Sequence, residues 1–246
     1  MRIRNVIQLH TVNRMQAFGW PLLIMLASLA IVLVIGGIVV NVATAAGAES
    51  LAEAREGMNT GMMFNGAIFA LLGPLIGFGF TAMGQYFPLA LGLGLTRREF
   101  AIGTALVFAF NAAFYAVIVT IGKVIEVATG GYGLGVRFFD VVYTGVGEWW
   151  QTLIQTFILI LGVALIGAAI TSAFHRWGQP FLWIFWIALA TIVVGILAGA
   201  LLSEGFRGLV VDIAAMGWMP WMVVAAALSA IGGAIWFTLV RRAQAR

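Results

Sequence analysis

Two histidines, one lysine and no cysteine bound the chemistry open to this chain. His10 and His175 are isolated from one another and cannot build the three-histidine set of a catalytic zinc. No metal site is therefore expected. The absence of cysteine removes disulfides and thiolate metal ligands. The chain has no HExxH, no GxSxG and no serine set beside a histidine in an apolar run, so no catalytic residue is assigned. A phosphate-binding loop requires GxxxxGK[ST]. Lys123 follows Gly122, but Val117 stands where the first glycine would be and Val124 replaces the serine or threonine. The chain is expected to bind no nucleotide or other cofactor itself, and to be no enzyme.

The remaining polar residues sit within apolar surroundings. Asn65, Thr81, Asn111, Tyr115, Thr120, Gln155, Thr156 and Thr191 fall inside long hydrophobic runs. Of these, Asn65, Asn111, Tyr115 and Gln155 are candidates to line a path. Hydrogen bonding between helices is the commoner use of such residues. Lys123 and Glu126 lie three apart at the end of one run and are expected to pair on one helix face.

The elements that carry these residues are set by composition. The chain of 246 residues is 63% hydrophobic and 9% charged, whereas a soluble domain carries about 25% charged residues. Lipid must be its solvent. A bilayer core takes about 20 apolar residues per helix, and six runs meet that length: 20-42, 61-84, 101-122, 150-173, 180-202 and 218-239. Backbone groups in lipid must be satisfied internally, so these are helices. The first run exceeds the core of a secretory signal and is expected to be a retained span. The loops leave no room for a soluble domain, and 1-246 reads as one all-α integral membrane domain.

Charge orients it. Nine of the 13 basic residues (Arg2, Arg4, Arg14, Arg97, Arg98, Arg176, Arg241, Arg242 and Arg246) fall in the termini and two alternate loops. Eight of the nine acids, all but Glu99, fall on the other side. Basic residues stay with the cytoplasm, which predicts both termini inside. The net charge of +4 is spread along span flanks rather than gathered in a basic domain. Anionic headgroups, not nucleic acid, are its expected partner.

Residues 1-19 place Val6, Leu9, Val12, Met15 and Phe18 among Arg, Asn, Gln and His. They read as a helix lying in the inner interface. Pro74, after Gly73 near the middle of the second run, predicts a kink and a candidate hinge. Gly73 and Gly77, and Gly195 and Gly199, have the spacing that lets helices approach closely. Trp149, Trp150, Trp177, Trp183, Trp218 and Trp221 read as interfacial anchors. The segment 203-217 is too apolar for a solvated loop and too short to span, and predicts a short helical piece before the last span.

The loop between the second and third runs is the most informative segment. Thr96 can cap a helix with Glu99 as its capping-box partner. Arg97, Arg98 and Phe100 would then form a cationic, aromatic knob. The stretch FPLALGLGLTRREFAIGTAL from Phe87 to Leu106 resembles the cytoplasmic loop of bacterial ABC exporter permeases of the type-2 family, especially small six-span, actinobacterial-like members. The six-span layout resembles the family along nearly the whole chain, while the residue-level likeness is confined to Leu91–Thr104. The short outer loops depart from relatives that carry large outer domains.

The resemblance implies a permease in the bacterial cytoplasmic membrane that dimerises, as homodimer or heterodimer, and receives soluble ATP-binding cassette subunits. ATP and Mg would be bound on those partners. It implies a coupling role for Leu95, Thr96, Arg97, Arg98, Glu99 and Phe100. An apolar path suits a hydrophobic or amphipathic substrate such as a lipid, peptide or drug. Two other readings stay open: a stand-alone secondary transporter or channel, and a non-transporting scaffold or immunity protein. The scarcity of ionisable residues within the spans weighs against the first of these.

Overall fold

The computed structural model describes residues 2–45 and 50–242. Glu49 and Arg246, counted in the charge asymmetry, and the small residues from Ala46 to Ala48 lie outside the described residues. Within them the chain is helical, with turns between helices and no strand.

Among the described residues, six helices are long and apolar enough to cross a membrane: Met15–Ala45, Ala67–Gly92, Arg97–Ala128, Trp149–Trp177, Gln179–Leu202 and Trp218–Arg242. The chain is thus a multi-pass membrane protein. Five of the six expected runs lie inside these helices; the second is displaced toward the C-terminus. Residues 62-66 belong to a short 3-10 turn and an extended link, while the helix continues past Gln85 through Gly92.

Ten α-helical segments follow in order: α1 (Arg2–Thr11), α2 (Trp20–Ala45), α3 (Leu51–Gly61), α4 (Leu72–Thr81), α5 (Phe87–Gly92), α6 (Arg97–Ala128), α7 (Trp149–Trp177), α8 (Gln179–Leu202), α9 (Glu204–Ala214) and α10 (Trp218–Arg242). The expected single helix over 1-19 is two pieces. The chain leaves helical geometry at Val12 and Asn13, and Asn13 restarts it: its Oδ1 accepts from Gln16 N at 3.1 Å. A π-helical turn, Met15–Gly19, then leads into α2.

Pro74 does not break the middle of a helix. It lies in the first turn of α4, directly after the 3-10 segment Ala67–Leu71. An α-helix leaves its first N–H groups unpaired in any case, so proline costs little there. The irregular turn of the second span lies farther on, at the π segment Ala82–Tyr86. The short helix expected within 203-217 is α9, whose start is capped by Ser203 Oγ accepting from Phe206 N at 3.3 Å.

α7 is the central element, packed on α6, α10 and α4. Two buried clusters fill the bundle. One joins α1, α4 to α7 and α10 around Phe78, Phe100, Phe108 and Trp236. The other joins α2, the start of the second span, α6 and residues 136–141 around Leu71, Tyr115, Val119 and Phe138. α8 stands apart, with no buried residue. Of the glycines singled out by their spacing in the sequence, Gly199 alone makes a close contact. Gly73, Gly77 and Gly195 face open space, and Gly199 seats Phe206 of α9. The α4–α7 approach is at Gly79 instead, where an added Cβ would lie 3.5 Å from Ala164 O.

Candidate functional site

At the Arg-rich end, the turn from α5 into α6 has a defined geometry. Leu95 N bonds Ala90 O at 3.0 Å across Gly94, whose φ of +78° needs glycine. The expected capping box is present: Thr96 Oγ1 accepts from Glu99 N at 3.2 Å, and Glu99 Oε2 accepts from Thr96 N at 2.8 Å. Leu95 and Phe100 point inward. Phe100 is fully buried, packed on Phe87 at 5.2 Å between ring centroids, which corrects the expected aromatic knob. What the turn presents is cationic. Arg98 is exposed, and Arg97 donates from Nη1 to Arg241 O at 3.2 Å. That bond brings the last turn of α10, with Arg241 and Arg242, beside the start of α6.

α1 braces the same turn from its other side. Val6 is fully buried against Gly103; a Cβ at that glycine would approach Val6 Cβ to 2.6 Å, so only glycine admits the contact. His10 is also fully buried and hydrogen-bonds Thr104 Oγ1 through Nε2 at 2.8 Å. Its ring meets Tyr86, Phe100 and Phe78 at centroid distances of 5.0, 5.8 and 5.9 Å, and Nδ1 has no partner. Burial among these rings lowers the imidazole pKa from 6.5 to about 4. His10 is therefore a neutral packing residue of the α1–α6 joint.

Of the four candidate path-lining residues, Asn65, Asn111 and Tyr115 hold neighbouring segments together. Asn111 Nδ2 donates to Ala17 O at 3.1 Å, and Tyr115 Oη donates to Phe18 O at 3.0 Å. Both therefore satisfy carbonyls of the π turn before α2. Asn65 lies ahead of the second span. Its Oδ1 accepts from Ala67 N at 3.0 Å, and its Nδ2 donates to Arg137 O at 2.9 Å. Gln155 is buried, with Oε1 unpartnered, beside Gly145.

The acidic end holds a structure that the sequence reading missed. Residues 130–147 fold over the ends of α6 and α7, and bury Val136, Phe138, Phe139 and Val141. Lys123 and Glu126 do not pair. The Lys123 ammonium is enclosed by Gly145 O at 2.5 Å, Gly147 O at 2.7 Å, Thr152 Oγ1 at 3.0 Å and Asp140 Oδ1 at 3.1 Å. The Glu126 carboxylate instead accepts from Phe138 N at 3.0 Å, Phe139 N at 2.9 Å and Asp140 N at 2.9 Å. Arg137 closes the set, bonding Asp140 Oδ2 at 2.8 Å and Asn59 Oδ1 of α3 at 2.7 Å. Each buried charge of α6 is thus neutralised or hydrogen-bonded by the loop, as burial demands. The signal was the apolar run Val136–Tyr143, interrupted only by Arg137 and Asp140.

Comparison of the chain with family models, with curated proteins and with solved structures finds no match.

Proposed function

We propose that this chain is the membrane-spanning permease subunit of an ATP-driven exporter, similar to the bacterial type-2 ABC family. Both termini and the Arg-rich end face the cytoplasm. The observation that carries the reading is the braced turn at Leu95–Phe100. It is capped by Thr96 and Glu99, seated by buried Leu95 and Phe100, and joined to α1 and to the end of α10. A force applied to Arg97 and Arg98 would pass directly into α6, which is continuous to the acidic end. Such a rigid cationic turn suits docking by a soluble ATPase, with ATP and Mg bound on that partner. A second permease chain, identical or different, completes the path, and the apolar spans favour a hydrophobic or amphipathic substrate.

Replacing Arg97 and Arg98 together by Gln tests the role of the turn. The expected result is an intact six-span fold and loss of substrate-stimulated ATP hydrolysis by the reconstituted complex. Full coupling in the double variant would show that the turn does not dock the ATPase. Glutamine is preferred to glutamate because charge reversal would also disturb topology.

A further inference from the structure

Residues 130–147 form a strap across the acidic end, built as a stiff piece between two pliant ones. Left-handed glycines bound it, Gly130, Gly131, Gly133 and Gly135 on one side and Gly145 on the other. Residues 136–144 between them contain no glycine and carry Val136, Phe138, Phe139 and Val141, all buried. This plug seats on glycines of the spans. A Cβ at Gly122 of α6 would approach the Phe139 ring to 2.6 Å, and one at Gly36 of α2 would overlap Val136. Toward α3 and the second span the strap is held by polar contacts alone. Arg137 Nη2 donates to Asn59 Oδ1 at 2.7 Å, Asn65 Nδ2 to Arg137 O at 2.9 Å and Val142 N to Met63 O at 3.1 Å. A rigid piece flanked by residues that absorb large φ/ψ changes is what a hinged element needs.

The charges under the strap have two complete sets of partners. With the strap seated, Lys123 takes Asp140, Gly145 O and Gly147 O, and Glu126 takes the N–H groups of Phe138, Phe139 and Asp140. All of these belong to the strap; only Thr152 Oγ1, a further partner of Lys123, stays on α7. Once the strap lifts, Lys123 and Glu126 lie three apart on one helix, the spacing at which opposite charges meet. Asp140 keeps Arg137, its partner within the strap, at 2.8 Å. Lifting therefore orphans no charge, which removes the main cost of breaking a buried ion pair. It also gives water to Gln155 Oε1, buried beside Gly145 without a partner. We propose that the strap is a two-position gate over the acidic end of α6 and α7, and that Lys123 and Glu126 exchange partners as it moves: bound to the strap when it is closed, to one another when it is open. The pairing that the helix alone favours is thus the open state. The gate does not rest on the ATPase reading, because it uses no residue of the Leu95–Phe100 turn and is tested on this chain alone.

The test is hydrogen exchange on the full chain in lipid nanodiscs. Amides of residues 136–142 should exchange together, and faster than those of Ala112–Val119 in the buried middle of α6. Asp140→Asn removes the closed carboxylate partner of Lys123 and spares the open one, and should speed that exchange about tenfold. A disulfide between Met63→Cys and Val142→Cys, whose backbones are hydrogen-bonded, should suppress it until reduced. A water-soluble carbodiimide then reads the partner, since Lys123 is the only lysine. It should join Lys123 to Asp140 and, as a second product, to Glu126; the disulfide should remove the second product alone. Exchange of 136–142 no faster than that of α6 would overturn the gate. Strap exchange without a Lys123–Glu126 product, or with one that survives the disulfide, would overturn the exchange of partners. Should the disulfide variant fail to fold, exchange and crosslinking on the unaltered chain decide.

Discussion

Lys123 and Glu126 show how a single residue pair can mislead when its surroundings are unknown. Spacing of three on a helix favours pairing across an exposed face. Here the loop folds over that face and supplies each charge with better partners, carbonyls for the ammonium and successive N–H groups for the carboxylate. Nothing in the local helical pattern encodes that choice, because the partners come from residues 138–147 and from Thr152 of α7. Lys123→Met would leave Asp140 with Arg137 alone, strip Gly147 O of its donor and leave Gly145 O with Thr152 Oγ1 alone. It should lower stability by about 3 kcal/mol, the low end for breaking a buried pair. Thermal unfolding in detergent measures this, and Lys123→Met with Asp140→Asn should cost less than the sum of the two single changes. His10 gives a pH dependence of definite sign. Its folded pKa, about 4, lies below the ordinary 6.5, so the unfolded or undocked state binds the proton more readily. The α1–α6 joint is fully stable above pH 6.5 and weakens as pH falls from 6.5 toward 4, by roughly 3 kcal/mol at the limit. Spin labels on α1 and α6 should move apart over that window, and His10→Phe should flatten the response.

At the scale of elements, apolar run length located the spans well, because lipid leaves the backbone no other solution than a helix. Run length does not locate irregular turns. Pro74 suggested a kink near the middle of the second span, yet it occupies the first turn of α4, where a missing N–H is tolerated. The actual irregularities are the π turns Met15–Gly19 and Ala82–Tyr86, and no single residue type announces them. The capping box was legible, since Thr96 and Glu99 form it within one turn. The inward seat of Phe100 was not, since it depends on α1 and α5 closing over it. Thr96→Ala should cost about 1 kcal/mol. It should also speed amide exchange at Arg97–Phe100 while exchange at the acidic end of α6 is unchanged.

For the whole molecule, the six spans and the separation of charge were readable from composition and position alone. The distribution of packing was not. α7 sits at the centre and α8 at the margin, although both are long apolar runs, because in lipid run length does not reveal whether a surface meets protein or hydrocarbon. The central claim is that this bundle is half of a machine whose energy source lies on another chain. The most direct measurement is purification of the tagged chain from its native membrane in a gentle detergent, with identification and quantification of its partners. The account predicts a soluble ATP-binding cassette subunit in stoichiometric amount, lost when Arg97 and Arg98 are both Gln. A chain recovered without any ATPase, under conditions that keep a known transporter complex intact, would contradict it.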